Sequence, residues 1–171
     1  MKKWWPVILI VVLGLGVWWV VSRPKIELLN PGKKVEETVK PFIFVVMADI
    51  HNDNKELKKA LVKTKDLVIV AGDLTVNGTS KELLEVKKTL DESQVKYLVV
   101  PGNHDVIKKQ FGSVFGQSYQ TFIKDNLKLI LIDNSYWSGL DDIQKKWIEN
   151  ESQVCRVMLC VAIMHMPLEH S

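Results

Sequence analysis

Residues 98–106 read LVVPGNHDV, a short apolar run that passes directly into an amide, an imidazole and a carboxylate. Taken alone, this stretch favours a turn, because proline, glycine, asparagine and aspartate all favour loops for conformational reasons. The side chains of Asn103, His104 and Asp105 gain meaning only if other strands of the same sheet end in similar groups. The interpretation therefore depends on the residues at the carboxyl ends of the other predicted strands.

Short apolar runs alternate with amphipathic segments along the middle of the chain. Three of the runs are typical of strands buried on both faces, at residues 42–48, 67–71 and 97–100. Two helices are predicted between them, because Asp53 with Glu56 and Thr79 with Glu82 have the spacing of capping boxes. This β-α-β-α-β order predicts an α/β fold with a parallel sheet and helical crossovers.

The second half of the chain predicts two further strands and one helix. The strands cover residues 127–132 and 156–164, while residues 106–126 are too mixed for a prediction. Asp141 would cap the helix between the two strands, with Ile143 and Trp147 on its inward face.

The two cysteines, Cys155 and Cys160, lie in one apolar run. If that run is a strand, five residues separate them by about 16 Å. Two Cα atoms must lie within about 7 Å to be bridged by a disulfide. We therefore expect two buried free thiols.

The composition is that of a globular chain, with 47% hydrophobic and 25% charged residues. A length of 171 residues suits one domain with an appendage. The net charge is only +3, and most lysines lie near glutamates in the predicted helices. These lysines are expected to form solvated helix faces, so a nucleic-acid partner is not predicted.

The amino terminus predicts a membrane anchor. After Met-Lys-Lys, an uncharged run of 18 residues extends from Trp4 to Val21. As a helix it would span about 27 Å, close to the hydrocarbon core of about 30 Å. Tryptophans lie at both of its ends, where indole rings prefer the membrane interface. We expect one transmembrane anchor over residues 1–22 and a linker over residues 23–40.

A cleaved signal peptide and a buried soluble helix are the alternatives to an anchor. The run is longer than the apolar part of a usual signal peptide, and it has no polar face. Its short positive leader resembles a bacterial export signal. We therefore expect a single-pass membrane protein whose domain lies outside the cytoplasm.

Groups that can bind metal come directly after four of the predicted strands. Along the chain they are Asp49-Ile-His51, Gly72-Asp73, Gly102-Asn103-His104-Asp105 and His165-Met-Pro167. Each match is weak by itself, since Gly-Asp pairs and lone histidines are common in loops. Ligands of open parallel sheets, however, bind at the carboxyl ends of the strands. Four matches at equivalent positions therefore predict one shared site.

The residue types suit two metal ions. Asp49 and His51 could point at one ion, and the two carboxylate oxygens of Asp73 could bridge it to a second. Asn103 would offer an amide oxygen, and His165 an imidazole, to the second ion. A shell of oxygen and nitrogen without thiolate suits Mn, Fe or Zn. Such a pair of ions would activate a water for phosphoryl transfer.

His104 follows a predicted ligand directly and has Asp105 beside it to orient its ring. We therefore expect His104 to act as a general acid that protonates the leaving alkoxide.

The order D-x-H, G-D, G-N-H-D and H-x-P resembles the calcineurin-like metallophosphoesterase family over residues 42–171. The resemblance implies a sandwich of two mixed sheets flanked by helices, and hydrolysis of phosphomonoesters or phosphodiesters. Residue by residue, it implies a first metal on Asp49, His51 and Asp73, a second metal on Asp73, Asn103 and His165, and a leaving-group role for His104 with Asp105.

The chain departs from the family pattern near its end. Family members carry a further Gly-His-x-His segment, whereas the only histidine after His165 is His170, which lacks the glycine. We expect the metallophosphoesterase domain, residues 41–171, to be incomplete at its C-terminus, because every upstream position is chemically competent. The alternative is a complete but degenerate relative that binds metal or phosphate weakly.

The leading hypothesis is a membrane-anchored, metal-dependent phosphoesterase that acts on a phosphate-ester substrate. A non-catalytic binding or scaffold protein at the membrane is the alternative from another class. A nucleotide-binding domain of Rossmann or P-loop type is disfavoured, because Asp-Ile-His follows the first strand where a glycine-rich loop would be needed.

Overall fold

The computed structural model of this chain describes residues 9–13, 16–20, 41–64, 66–136 and 138–167. The chain divides into two units, residues 1–40 and 41–171, and each is described by itself. The linker expected over residues 23–40 lies outside the described residues.

The amino-terminal unit contains a β-hairpin. Strands β1 (Leu9–Leu13) and β2 (Gly16–Val20) pair antiparallel, with Leu9 opposite Val20. Within the run from Trp4 to Val21, the described residues 9–13 and 16–20 are therefore strands and not the expected helix. No helix among the described residues is long and apolar enough to cross a membrane. Both strands are rich in β-branched and aromatic residues, which favour extended backbone.

The second unit begins with a parallel sheet in the order β3-β4-β5. Its strands are β3 (Phe44–Met47), β4 (Leu67–Ala71) and β5 (Tyr97–Val100). The central strand β4 is buried at all five positions, as a continuous apolar run predicts for a strand covered on both faces.

Three helices follow these strands. They are α1 (Asn54–Val62), α2 (Ser80–Glu92) and α3 (Phe111–Phe115). Thr79 and Glu82 form a reciprocal capping box at α2, as predicted, whereas Asp53 caps α1 only through its own side chain. The short helix α3 lies in the region for which the sequence offered no prediction.

The second sheet is mixed and has the order β6-β7-β8. Its strands are β6 (Gln120–Lys124), β7 (Leu127–Leu131) and β8 (Leu159–Ile163), and helix α4 (Asp142–Ser152) lies between β7 and β8. Strand β6 pairs antiparallel with β7, while β8 pairs parallel with it.

The side chains of β4 alternate between two cores, because successive side chains of a strand point to opposite faces of the sheet. Val68 and Val70 pack against leucines of α1 and α2. Leu67 and Ile69 pack against Leu129 and its neighbours in the mixed sheet. The two sheets therefore lie face to face, and α1, α2 and α3 cover the outer face of the parallel one. The expected α/β sandwich is confirmed, with its first sheet parallel among the described strands.

The inward face of α4 differs from the prediction. Asp141 caps the helix as expected, accepting the backbone N–H of Gln144 at 2.7 Å. However, Ile143 is 74% exposed, while Gln144 is only 4% exposed and Trp147 is half-buried. The reason is that the Gln144 amide bonds the backbone of Asp133 in both directions, at 2.8 Å each. This pair of hydrogen bonds turns the polar residue inward.

The expectation of two free thiols is wrong, because Cys155 and Cys160 form a disulfide. Strand β8 begins at Leu159, and Cys155 lies in a short 3₁₀ helix, Gln153–Arg156, before it. The chain turns between the two elements, which brings the two Cα atoms within 5.5 Å. The prediction failed because it treated the whole run as one extended strand.

Candidate metal centre

The loops after β3 and β4 are joined by main-chain hydrogen bonds. The N–H of Asp49 donates to the carbonyl of Gly72 at 3.1 Å, and the N–H of His51 donates to the carbonyl of Asp73 at 3.0 Å. The next residue, Asn52, continues the same pattern, because its N–H donates to the carbonyl of Leu74 at 3.0 Å. The backbone thus fixes both loops relative to each other.

Three predicted ligands in these loops have left-handed backbone. Their φ angles are 57° at Asp49, 45° at His51 and 51° at Asp73. Such conformations are uncommon for residues other than glycine and cost about 1–3 kcal/mol each. Strained positions of this kind concentrate at functional sites, where the surrounding structure holds them in place.

The side chains of these three residues form one cluster. One ligand atom from each of Asp49, His51 and Asp73 lies within 4.8 Å of the others. Nε2 of His51 is 3.7 Å from both Oδ1 of Asp49 and Oδ2 of Asp73. Two carboxylates and an imidazole at this spacing fit a divalent transition metal. Asp49 and His51 are exposed, so the cluster is open to solvent.

Asp73 connects this cluster to a second histidine. While Oδ2 of Asp73 faces His51, Oδ1 lies 3.4 Å from Nε2 of His165. Oδ1 also accepts the backbone N–H of His104 at 3.1 Å. Asp73 is only 5% exposed, and the hydrogen bond from His104 orients its carboxylate. This geometry suits a carboxylate that bridges two ions.

The ring of His165 is held by the parallel sheet. Its Nδ1 lies 2.8 Å from the carbonyl of Ala71, at the end of β4. A backbone carbonyl on one ring nitrogen fixes the tautomer and leaves Nε2 free as a metal ligand. Gly72 lies directly under the ring, and a Cβ at that position would overlap the imidazole. Glycine is therefore required there for space.

The loop after β5 packs directly on Asp73. A Cβ on Gly102 would overlap both the carboxylate and the backbone nitrogen of Asp73. Asn103 is half-buried and lies between Gly102 and His104, both of which approach that carboxylate. Gly102 and His104 thus lie against Asp73, at the edge where the sequence predicts one shared site.

His104 is oriented by a residue that the sequence did not indicate. Its Nδ1 lies 2.7 Å from the carbonyl of Val76, so Nδ1 carries the hydrogen and donates it. The ring meets the ring of His51 edge to face, with centroids 5.0 Å apart. The expectation that Asp105 orients this ring is wrong, because a backbone carbonyl from the β4–α2 loop does so.

Asp105 is fully buried, and its carboxylate holds the surrounding loops instead of orienting His104. Its carboxylate accepts the N–H groups of Leu74, Thr75 and Gly102 at 3.1, 2.9 and 2.9 Å, and the hydroxyl of Thr75 at 2.8 Å. Burial raises the pKa of this carboxyl above its ordinary value, and the hydrogen bonds from Gly102, Thr75 and Leu74 act in the opposite direction. Asp105 therefore joins the β4 and β5 loops.

Five predicted site residues meet at one sheet edge: Asp49, His51, Asp73, His104 and His165. His170 lies outside the described residues. Two further residues of the site were not predicted: Val76, and Asn134, whose side chain bonds the backbone of His165 and Met166. Neither residue has a signal in the sequence, because each acts on a partner distant along the chain.

Part of this chain is similar in sequence to known proteins. A family model described as calcineurin-like phosphoesterase matches residues 42–164. A protein of Arcobacter nitrofigilis described as "Probable glycerophosphodiester phosphodiesterase GpdQ" is 31% identical over 103 residues, covering 50% of this chain and 36% of the relative. A "Probable cyclic nucleotide phosphodiesterase" of Ruthia magnifica is 36% identical over 77 residues, covering 37% and 33%. The aligned part is thus about one third of each relative's length.

Two solved structures share the fold. A dimetal phosphatase from Danio rerio has a TM-score of 0.59 at 14% identity, with 75% of this chain and 70% of that chain covered. The purple acid phosphatase PPD1 of yellow lupin has a TM-score of 0.53 at 13% identity, covering 75% and 31%. At these identities the likeness concerns the fold alone.

Proposed function

This chain belongs to the calcineurin-like phosphoesterase family, and from that premise we propose that it is a metal-dependent phosphoesterase with two metal ions. The observation that carries the proposal is the bridging geometry of Asp73, whose two oxygens face two different histidines, His51 and His165. A carboxylate used only for structure would need no imidazole on each side.

The residues that would hold the ions divide into two groups. Asp49, His51 and Asp73 would bind the first, and Asp73, Asn103 and His165 would bind the second. Oxygen and imidazole ligands without thiolate support Mn, Fe or Zn. When bound, such a pair lowers the pKa of a water and neutralises phosphoryl oxygens.

His104 would supply the proton for the leaving group. Its Nδ1 is engaged by the carbonyl of Val76, so the exchangeable proton of the imidazolium is on Nε2. As the new bond from phosphorus to the water oxygen forms, the bond to the leaving oxygen breaks, and the Nε2 proton passes to that oxygen.

The relatives suggest phosphodiesters as the first substrates to test. Proteins described as glycerophosphodiester and cyclic nucleotide phosphodiesterases align with this chain. We propose a phosphodiester substrate, with phosphomonoesters as the comparison class.

Asp73→Asn tests the function most directly. The full 171-residue chain would be assayed with Mn²⁺ on bis(p-nitrophenyl) phosphate and on p-nitrophenyl phosphate. We expect the substitution to lower turnover by at least about 100-fold, since loss of an outer partner of a ligand already costs 10–100-fold. Metal content of the wild type and the variant would be measured in parallel.

Asp91→Asn is the matched control, because Asp91 lies on α2 and bonds Lys87 and Tyr97, away from the cluster. It should leave turnover unchanged. Metal bound by the wild type without any turnover would favour the non-catalytic alternative. Equal turnover in Asp73→Asn and the wild type would refute the two-metal assignment.

Membrane attachment and an extracytoplasmic domain form a separate proposal. The uncharged run from Trp4 to Val21 supports attachment. The disulfide between Cys155 and Cys160 supports an oxidising compartment, because disulfides are rare in a reducing cytosol. Fractionation of cells expressing the full chain would test attachment, and recovery of the chain with the soluble fraction would refute it.

A further inference from the structure

The backbone ladder between β7 and β8 stops just before the second histidine of the site. Its last bond joins the N–H of Ile132 to the carbonyl of Ile163, at 2.8 Å. His165 lies two residues beyond that carbonyl, past the end of β8. Some other group must therefore hold the backbone of His165 in place.

Asn134 supplies that group through its side chain. Its Oδ1 accepts the backbone N–H of His165 at 3.1 Å and that of Met166 at 3.0 Å. Its Nδ2 donates to the carbonyl of Met166 at 2.6 Å. The hydrogen bonds of this one amide thus take the place of further backbone hydrogen bonds between the β7 and β8 segments. In the described part of the chain, these two N–H groups have no other acceptor within hydrogen-bond distance.

The backbone that carries Asn134 is itself held from α4. The buried amide of Gln144 bonds both the N–H and the carbonyl of Asp133, at 2.8 Å each. The Asp133 carboxylate in turn accepts the N–H of Ser135 at 3.0 Å and its hydroxyl at 2.5 Å. The residues on both sides of Asn134 are therefore fixed.

We propose that Asn134 is the positioning residue for His165, and that Gln144 supports it from α4. The inference rests on the proposed function, in which His165 binds the second metal ion. The carbonyl of Ala71 sets the rotation of the imidazole, but it cannot set the position of the backbone from which the ring extends. Asn134 sets that position, and so places Nε2 at 3.4 Å from Asp73.

The chemistry of the amide explains why asparagine is suited to this place. The side chain must accept two hydrogen bonds and donate one, which an amide can do. An aspartate would keep both accepted bonds and lose the donated one. Alanine would lose all three, and would leave two N–H groups near the site without a partner.

Metal titration of the metal-free full chain tests the proposal. Isothermal titration with Mn²⁺ should resolve two binding events in the wild type. In Asn134→Ala we expect one of them to weaken about 10–100-fold, as for loss of an outer partner of a ligand, and the other to change less than about twofold. Asn134→Asp should retain more of the affinity than alanine does, and Gln144→Leu should weaken the same event less.

A second measurement needs no metal. Amide hydrogen exchange in the metal-free Asn134→Ala chain should speed up at His165 and Met166, and not in β4. Thr89→Ala is the matched control, since Thr89 is buried on α2 and its hydroxyl donates to the carbonyl of Glu85. It should lower stability without altering either measurement. If the alanine variant does not fold, Asn134→Asp is compared with the wild type by metal titration, because it keeps both accepted bonds and loses only the bond donated to Met166.

The outcomes separate the two proposals. If the wild type binds no Mn²⁺, the proposed function is wrong, and exchange at His165 still decides the role of Asn134. If the wild type binds two ions and Asn134→Ala binds them equally well, the positioning role is wrong while the function stands. Unchanged exchange at His165 and Met166 in Asn134→Ala would also overturn it.

Discussion

The two sheets hold their parts of the candidate metal centre by different means. At the end of the parallel sheet, Asp49, His51 and Asp73 lie in loops whose main chains bond each other directly. At the end of the mixed sheet, the backbone of His165 depends on the side chain of Asn134. One part is fixed by backbone geometry and the other by a single amide.

The two parts of the site should respond differently to mutation. We call the loops that carry Asp49, His51 and Asp73 the parallel-sheet half of the site, and the segment that carries Asn134 and His165 the mixed-sheet half. Main-chain hydrogen bonds survive most substitutions. The parallel-sheet half should therefore be sensitive to substitution mainly where lack of space or a positive φ excludes a side chain. The mixed-sheet half should respond to conservative changes of polar side chains, because no backbone ladder replaces them. Substitutions in each half can test that contrast.

Gly72→Ala should have the largest effect, because Gly72 lies where the two halves meet. An added Cβ would overlap the ring of His165 and would also occupy a backbone with φ of +87°. We expect loss of the second metal-binding event in a Mn²⁺ titration, and a loss of turnover of at least about 100-fold, since the ligand itself is displaced.

Gly116→Ala separates the effect of a positive φ from the effect of overlap with His165. Gly116 has a similar φ of +82°, but a Cβ there would meet no atom within 4 Å. It should therefore lower stability by about 1–3 kcal/mol, the cost of a positive-φ backbone that residues other than glycine rarely adopt, and leave metal binding intact. If both variants lose the second ion equally, backbone strain and not the overlap with His165 is the cause.

Asp105→Asn should have the next largest effect, and it acts on stability. Each oxygen of Asp105 accepts two hydrogen bonds, so an amide NH₂ in either position would face two donors. Buried groups left without a partner cost about 1–3 kcal/mol each, so we expect a loss of about 2–5 kcal/mol in the free energy of unfolding. Chemical denaturation of the metal-free chain would measure it.

The same substitution in the mixed-sheet half is the control. At Asp133 a single oxygen, Oδ1, accepts both of the bonds from Ser135. Asp133→Asn can keep that oxygen in place, so its free energy of unfolding should fall by less than about 1 kcal/mol. Equal losses at Asp105 and Asp133 would mean that Asp105 does not join the loops as described.

Local patterns in the sequence predicted much of the parallel-sheet half. The apolar run of β4 was predicted with its observed bounds, and the spacing of Thr79 and Glu82 predicted a capping box that the structure contains. The groups after each strand were also predicted to meet, because the carboxyl ends of parallel strands share one edge. Each of these inferences needs only residues close together in the chain.

The sequence failed where two distant segments decide the outcome. Asn134 contacts a backbone 31 residues away, and Gln144 is buried only because the backbone of Asp133 bonds it from another element. The disulfide was not predicted because the 3₁₀ helix before β8 brings the Cα atoms of Cys155 and Cys160 much closer than an extended strand would. Periodicity reports the burial of apolar faces and carries no signal for such polar pairings.

The smallest effect on the free energy of unfolding is expected at the cluster of Lys87, Asp91 and Tyr97, which lies outside both halves of the site. The ammonium of Lys87 lies 2.7 Å from Asp91, and the hydroxyl of Tyr97 donates to the same carboxylate at 2.6 Å. These hydrogen bonds lower the pKa of Asp91, first through Lys87 and then through Tyr97. Because the Asp91 side chain is half exposed, solvent screens the pair, and Asp91→Asn should cost less than about 1 kcal/mol.

The sign of the pH dependence comes from the lowered pKa of Asp91. A carboxyl with a lower pKa in the folded state stabilises the fold above its ordinary pKa and loses that contribution as the pH falls through the lowered value. The difference in unfolding free energy between the wild type and Asp91→Asn should therefore be constant from about pH 5 to 7 and shrink as the pH falls through the lowered pKa of Asp91. Denaturation at several pH values would measure it, and a difference that grew on acidification would exclude this ion pair as its source. Because the cluster lies on α2 and at the first residue of β5, away from the carboxyl ends of the strands, metal binding should not follow this pH dependence. The cluster thus gives the baseline against which changes at Gly72 and Asn134 are judged.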